Sequence, residues 1–429
     1  MRADTIFALA SARGRSGVAV VRISGDRAHQ AVRALCGELP AERRASLRTL
    51  RWNDDVLDEA IVTIFGDGRS FTGEAVAELH LHGSIAVVSA VLGALGRMEG
   101  LRPAQAGEFT WRAMENGRLD FTQVEGLADL LLAETNAQRR QAQRVLSGSI
   151  GRTADGWRVS LIQALALLES TIDFVDEDVP AEVTEEVTQV ISAVRVSMGS
   201  ELRGVRAAER IRDGFEVAIV GRPNVGKSTL LNRLAGRDAA LTSEIAGTTR
   251  DVIEVRMDIG GMAVTLLDTA GLRDSDDAIE ELGIARARQR AETADLRVFL
   301  VEEGENPDSD LWRPGDIAAL SKGDLYPEAA HGVSGLTGGG IDNLVSRIEA
   351  QLVEQVASVG TLTRVRHENA VRMAVEALVR AEAGLLNGDG YEIVSEELRV
   401  AARSLEVLVG RLDVEDILDQ VFSSFCIGK

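Results

Sequence analysis

At 429 residues, 45% hydrophobic and 27% charged, the chain has enough sequence for two to four ordinary soluble domains at about 100–200 residues each. No stretch approaches the roughly 18–20 uncharged apolar residues of a bilayer span, and Arg13 and Arg15 interrupt the first apolar run before it reaches signal-peptide length, so a cytoplasmic protein without a membrane segment is expected. A net charge of −20 excludes whole-surface polyanion binding, which leaves only local contacts for any RNA.

The first 51 residues run against the acidic average, with ten arginines to four acids. A solvated basic face and a nucleic-acid surface explain that excess equally well. Up to about residue 120, short β-rich runs such as Gly17-Val18-Ala19-Val20-Val21-Arg22-Ile23 alternate with glycine-rich breaks and one helical pattern near 84–98, which predicts an α+β domain over 1–118. His80 and His82 share one face of a predicted strand, but no cysteine or carboxylate at ligand spacing accompanies them, so zinc is not expected. The two cysteines, Cys36 and Cys426, make neither a metal pair nor a disulfide framework, which fits a reducing compartment.

From about residue 121 the pattern turns helical. Leu161, Leu165, Leu168 and Ile172 recur at helical spacing and the segment 182–212 continues similarly, giving the first part of an all-α domain over 119–212. At Phe215 the run FEVAIV predicts a strand, and the next 140 residues alternate strand and helix as βαβ units do, so an α/β domain is expected over 213–360. Within it, Val252 to Asp258 and Ala263 to Asp268 flank Gly260-Gly261, a hairpin signal. Val394, Leu398, Ala401, Leu405 and Leu408 restore the helical rhythm in the second part of the helical domain, 361–429. Helices on both sides of an α/β module predict insertion: the two helical parts pack together and the module projects from them.

Gly221-Arg222-Pro223-Asn224-Val225-Gly226-Lys227-Ser228 fits G-x-x-x-x-G-K-S/T directly after the FEVAIV strand and before the helical run that starts at Ser228-Thr229. That context predicts a P-loop GTPase domain. Glycine lets backbone N–H groups face phosphates, Lys227 brings charge to the β and γ groups, and Ser228 offers a hydroxyl to Mg²⁺. Ser243-Glu244-Ile245-Ala246-Gly247-Thr248-Thr249 follows as a switch loop in which Thr249 completes the Mg²⁺ shell, and Asp268-Thr269-Ala270-Gly271 follows a strand, with Asp268 holding Mg²⁺ through water and Gly271 sensing the γ-phosphate.

The guanine-specific element Asn-Lys-x-Asp is expected at Ser321-Lys322-Gly323-Asp324. Asp324 keeps the carboxylate that accepts two hydrogen bonds from guanine, Lys322 covers the base plane, and serine at 321 shortens one polar contact. Val333-Ser334-Gly335 resembles the second guanine-side loop, with glycine where such loops usually carry alanine. The segment 301–320 is short for a strand, helix and strand, so a reduced or mobile edge is expected there. Leu272 follows Gly271, so the glutamine that orients water in small signalling GTPases is missing.

Further hallmarks lie outside this core: Asp4-Thr5-Ile6, Ser24-Gly25, Ser70-Phe71-Thr72-Gly73-Glu74, Glu78-Leu79-His80 and the terminal Phe425-Cys426-Ile427-Gly428-Lys429. In this order they resemble the bacterial tRNA wobble-uridine modification GTPases of the MnmE (TrmE) family over essentially the whole chain. The resemblance implies a multidomain protein with an α+β N-terminal domain that dimerises and binds a tetrahydrofolate derivative, an all-α helical bundle domain, and an inserted α/β P-loop GTPase domain. It places K⁺ at Asn224 and at Ser243, Ile245 and Thr248, and assigns Glu280 to positioning the attacking water. It nominates Arg22, Glu78, Arg118 and Lys429 for the folate site, with arginine at 118 where relatives often carry lysine. It further implies a homodimer and a flavin-bearing GidA/MnmG-type partner in a heterotetramer. The substrate it implies is the tRNA anticodon loop, where an aminomethyl or carboxymethylaminomethyl group is added at C5 of the wobble uridine. From the residues alone, Glu280 and Glu281 read as a solvated helix start and Cys426 as a small buried hydrophobe, with a nucleophilic role as the alternative. Two rivals compete: a ribosome-assembly GTPase, which should carry a second G domain or a KH-like appendage, and a regulatory switch that modifies nothing.

Overall fold

The computed structural model describes residues 4–173, 181–237, 254–268, 288–307, 310–356, 360–411 and 428. They form two compact units: the described parts of Met1–Ala128, Leu146–Gly151 and Val409–Lys429, and those of Asp129–Val145 and Arg152–Leu408.

The first unit contains β1 (Thr5–Leu9), β2 (Ser16–Ser24), α1 (Ala28–Cys36), β3 (Ser46–Trp52), β4 (Asp55–Phe65), β5 (Val76–Gly83), α2 (Ile85–Leu95), β6 (Leu101–Pro103) and α3 (Glu108–Glu115). The strands form one sheet in the order β3-β4-β5-β2-β1-β6, antiparallel except for the β1–β6 pair. Alternation places Ala19, Val21 and Ile23 of β2 inside, where Val21 and Ile23 join a core completed by Val32 and Leu35 of α1 and Val91 and Leu95 of α2. Helix α2 starts on Ser84, whose side chain accepts from Val87 N, and falls within the helical pattern expected at 84–98. Helices α1 and α3 are additions to that expectation. Each has fewer than ten residues, too few for periodicity to stand out from the neighbouring strands.

Helix α4 (Phe121–Leu132) buries Phe121 and Val124, and α5 (Asn136–Leu146), α6 (Ser149–Asp173) and α7 (Ala181–Asp213) follow. The buried stripe of α6 runs through Ala154, Trp157, Leu161, Ala164 and Leu168, so Leu165 lies one position off the innermost line. The α/β module then supplies β7 (Phe215–Val220), α8 (Lys227–Ala235), β8 (Glu254–Ile259), β9 (Met262–Asp268), β10 (Leu296–Val301), β11 (Ile317–Leu320) and α9 (Ile341–Gln355), and α10 (Val365–Asn387) and α11 (Tyr391–Leu408) are the last helices among the described residues. The module's sheet runs β11-β10-β7-β9-β8, parallel except for the β8–β9 hairpin. Its turn residues Gly260 and Gly261 have φ of 61° and 83°, the positive pair that a primed two-residue turn requires.

Helical segments from before and after the module pack together, as an insertion demands. Helix α7 lies along α10, with Arg195 paired to Glu382 at 2.9 Å, and Thr184 shares a hydrogen bond with Tyr391 of α11. Within the frame, Gln138 and Gln141 of α5 donate to the carbonyls of Arg212 and Ala208 near the end of α7, and the module is tied to it where Ala137 N donates to Gly261 O in the hairpin. The Arg212 carbonyl would otherwise be orphaned in the last turn of α7.

The short segment between β10 and β11 forms no helix among its described residues. An ion pair occupies its place. Arg297 donates to Asp316 at 2.8 Å, both side chains being almost fully buried, and Asp316 also accepts Arg313 N at 2.7 Å. Trp312 packs on Phe299 with ring centroids 5.3 Å apart. Asp316→Ala would leave the Arg297 charge buried and unpaired, so a loss of about 3–5 kcal/mol is expected, read as a lower denaturant midpoint by tryptophan fluorescence. An unchanged midpoint would mean that the apolar contacts alone hold the crossover. No helix among the described residues is long and apolar enough to cross a membrane.

Candidate functional site: a phosphate-binding loop and two flanking loops

Two loops and the end of β9 come together at the C-terminal ends of the parallel strands, where open α/β sheets place their ligands. The first leaves β7 at Val220 and enters α8 at Lys227. Asn224 and Gly226, with φ of 64° and 108°, take left-handed conformations that coil the loop back on itself. Lys227 is buried, and its Nζ donates to Gly221 O at 2.7 Å and Arg222 O at 2.9 Å, so the ammonium points into the ring of the loop. Burial pushes this lysine below its usual range, against the opposing charge of Asp268. Polyphosphate bound in the loop would return that charge to stability.

Strand β9 ends at Asp268. Parallel pairing sets Asp268 opposite Ile219 of β7, and Ser228 Oγ donates to Asp268 Oδ2 at 2.8 Å. A hydroxyl and a carboxylate in contact at the first turn of α8 are suitable oxygens for Mg²⁺ and its water. The other candidate metal and switch residues, Ser243, Glu244, Ile245, Ala246, Gly247, Thr248, Thr249, Thr269, Ala270 and Gly271, lie outside the described residues, as does Glu280.

The second loop follows β11. Ser321 N donates to Val301 O, while its buried Oγ has no hydrogen-bond partner among the described residues. Serine therefore does not replace the polar contact a longer asparagine would make. Lys322 takes a left-handed φ of 54° and pairs with Glu302 at 2.8 Å, and Asp324 is exposed on the single turn Gly323–Leu325. Gly323 N to Val333 O and Val333 N to Leu320 O bring Ser334-Gly335 alongside. A Cβ on Gly335 would stand 2.7 Å from Leu230 N, so alanine here would push the loop off the first turn of α8.

In the N-terminal unit, Arg22 of β2 and Glu78 of β5 face each other in register and pair at 2.9 Å. The Arg22 guanidinium lies 5.6 Å from the ring centre of Phe71 and 5.7 Å from that of Phe109. Arg118 is exposed and packs its stem near Gly73, so Arg22, Glu78 and Arg118 surround the 71–74 loop. Lys429 and Cys426 lie outside the described residues. Gly428 is buried against Leu9 and Ala10.

Sequence reasoning did not find the charge network beneath this loop. Arg112, almost fully buried, donates to Asp4, Glu74 and Glu108, and Arg102 reaches Asp4 and Glu108 at 2.5 Å each. Ser24 Oγ donates to Glu74 at 2.6 Å and shares a hydrogen bond with Thr72. Burial pushes the Glu108 carboxyl up, but hydrogen bonds from Arg102, the Gln105 backbone and Arg112 outweigh it and hold the group below its ordinary value. The hallmarks Asp4, Ser24, Thr72 and Glu74 thus buttress the loop rather than face outward. The Glu108/Arg112 spacing of four was the available signal.

Residues 121–426 match the family model "MnmE helical domain", and residues 5–118 match "GTP-binding protein TrmE N-terminus". A tRNA modification GTPase MnmE of Cereibacter sphaeroides (strain ATCC 17029) is 58% identical over 99% of this chain and 100% of its own length. The protein of the same description from Ruegeria pomeroyi is 55% identical over 99% and 100%. Among solved structures, Era in complex with MgGDPNP and 16S ribosomal RNA nucleotides is 26% identical, covers 38% of this chain and 66% of that chain, and has a TM-score of 0.26.

Proposed function

The chain belongs to the MnmE (TrmE) family of tRNA modification GTPases, and from that premise we propose that it drives C5 modification of the tRNA wobble uridine with a folate-derived one-carbon unit. GTP hydrolysis is its own activity. Lys227 and the backbone N–H groups of the loop Gly221 to Gly226 bind the phosphates, and the Ser228–Asp268 contact at 2.8 Å is the observation that best supports a hydrolytic site rather than a bare anion pocket. Ser228 and Thr249 would hold Mg²⁺, with Asp268 fixing a coordinated water; the metal supplies charge compensation between the β- and γ-phosphates. Asp324 and Lys322 select guanine, with Ser321 beneath them in the place of the usual asparagine, and Glu280 positions the attacking water. Asn224, Ser243, Ile245 and Thr248 would hold K⁺, which favours pairing of two G domains within a homodimer.

The tetrahydrofolate derivative fits the N-terminal unit. Phe71, partly exposed, offers a face to a planar ring, Glu78 accepts from the ring's amino and N–H groups, and Arg22, Arg118 and Lys429 meet its carboxylates. Because Arg22 and Glu78 pair with each other, ligand binding exchanges that pair for two charge-assisted contacts. The flavin-bearing GidA/MnmG-type partner supplies redox chemistry in a cytoplasmic heterotetramer, and the tRNA anticodon loop is the substrate. Titration with a tetrahydrofolate derivative tests this reading. Arg22→Ala is expected to weaken binding at least about tenfold, the scale of one charge-assisted contact. A parent protein without folate affinity would leave the GTPase and remove the one-carbon role.

A further inference from the structure

A second concentration of charge lies at the opposite end of the parallel sheet from the P-loop. Near the N-terminal ends of β7 and β10, an open cavity of about 800 Å³ is lined by Arg203, Arg206 and Arg210 of α7, by Asp295 and Arg297, and by Arg313 of the β10–β11 crossover. Strand β7 has six residues, which separates this cavity from the phosphate loop by roughly 20 Å.

The carboxylates here are already engaged. Asp295 pairs with Arg210 at 2.7 Å and accepts Glu216 N, Asp316 holds Arg297, and the lining residue Glu292 pairs with Arg288 at 3.3 Å. Arg203, Arg206 and Arg313 are exposed, and among the described residues their side chains have no ion pair. Arg203 and Arg206 alone would be an ordinary solvated helix face, since residues three apart share one side. Arg313 changes that reading. It comes from an element more than a hundred positions away, it stands where a crossover helix is missing, and its backbone is fixed by Asp316. Arg206 faces Asp295, which Arg210 already holds, so three exposed guanidinium groups from two elements, without an ion pair among the described residues, open on one cavity in a chain of net charge −20.

We propose that this cavity holds the phosphodiester backbone of RNA, at a contact separate from the nucleotide site. Arginine suits phosphate through its planar fork of donors. Arg203 and Arg206 are offset by roughly 4.5 Å along the helix axis, which suits neighbouring phosphates of a strand. The site is open, and the buried guanidinium in its lining, Arg297, is taken up by Asp316 and by the carbonyls of Ala291 and Ala294, whereas capture of a single free phosphate would need a buried donor left for it. It also meets the requirement set by the net charge, a local basic surface in an otherwise acidic protein. RNA seated here would touch α7, which passes through Gly214 into β7 and from there into the P-loop. The assignment rests on the chain's role in tRNA modification.

The test compares the full-length parent with the triple variant Arg203→Ala, Arg206→Ala, Arg313→Ala. Binding of an unmodified tRNA transcript is followed by fluorescence anisotropy over a range of salt concentrations, and GTP turnover without RNA is measured alongside. The alanine variant is expected to bind at least about tenfold more weakly, with a plot of log K against log salt shallower by about 2 to 3, while turnover stays at the parent rate. The lysine triple variant keeps the charges and is expected to stay within about threefold of the parent. Parent-like affinity and slope in the alanine variant would overturn the RNA contact and leave the tRNA role standing. A parent that binds no tRNA would overturn both. Displacement of tRNA from the parent by millimolar inorganic phosphate, with no displacement from the alanine variant, would reassign the cavity to free phosphate.

Discussion

GTP turnover is expected to fall by about two to three orders of magnitude when Lys227 becomes alanine, the scale seen when one preorganised donor is taken from a transition state. The side chain is buried, and its ammonium reaches the carbonyls of Gly221 and Arg222 across the mouth of the loop. Holding a cation there costs free energy, which is why burial lowers the lysine's affinity for its proton. Phosphate oxygens recover that cost, most strongly when negative charge moves onto the leaving group. Alanine removes the compensating charge and exposes two inward-facing carbonyl oxygens to the phosphates, so both KM and kcat are expected to suffer. Steady-state turnover with an unfolding curve measured alongside is the check. Activity within about threefold of the parent in a folded variant would place the phosphates elsewhere.

The parts of this site that were legible in the sequence are those built from contiguous residues. FEVAIV became β7 from Phe215 to Val220, and the loop to Lys227 follows it directly, because a strand, a coiled turn and a helix start each have a local signature. The hairpin at Gly260-Gly261 was legible for the same reason. Groups joined only by the fold were not. Asp4, Glu74, Glu108 and Arg112 are spread over more than a hundred positions, and apart from the Glu108/Arg112 spacing of four no period links them. The crossover shows both sides. Its shortness could be counted, but the replacement of a helix by the Arg297–Asp316 pair and the Phe299–Trp312 contact depends on the parallel pairing of β10 with β11. In α6 the pattern gave a helix and missed its exact face, because Trp157 and two alanines outrank Leu165 once neighbouring helices pack against it.

Asn224 carries the most informative test of how hydrolysis is accelerated. Leu272 stands where other GTPases place their water-orienting glutamine, so the charge that develops in a loose phosphoryl-transfer transition state needs another source. A monovalent cation held by the Asn224 amide would supply it, in the role an arginine finger plays elsewhere with effects of about 10³–10⁵-fold. GTP turnover is therefore expected to be at least about tenfold faster in K⁺ than in Na⁺ at matched ionic strength, and Asn224→Ala is expected to abolish the difference. The backbone complicates that variant. Asn224 has a φ of 64°, which asparagine tolerates and alanine resists by roughly 1–2 kcal/mol, so lost activity could come from a distorted loop. Asn224→Gly separates the two causes, since glycine takes the left-handed conformation freely and lacks the amide. If both variants turn over GTP equally in K⁺ and Na⁺, and at the parent's Na⁺ rate, the side chain is the ligand. If the glycine variant keeps the potassium stimulation, Asn224 shapes the loop and the cation is held without it; equal rates for the parent in both salts would remove the cation from the mechanism altogether.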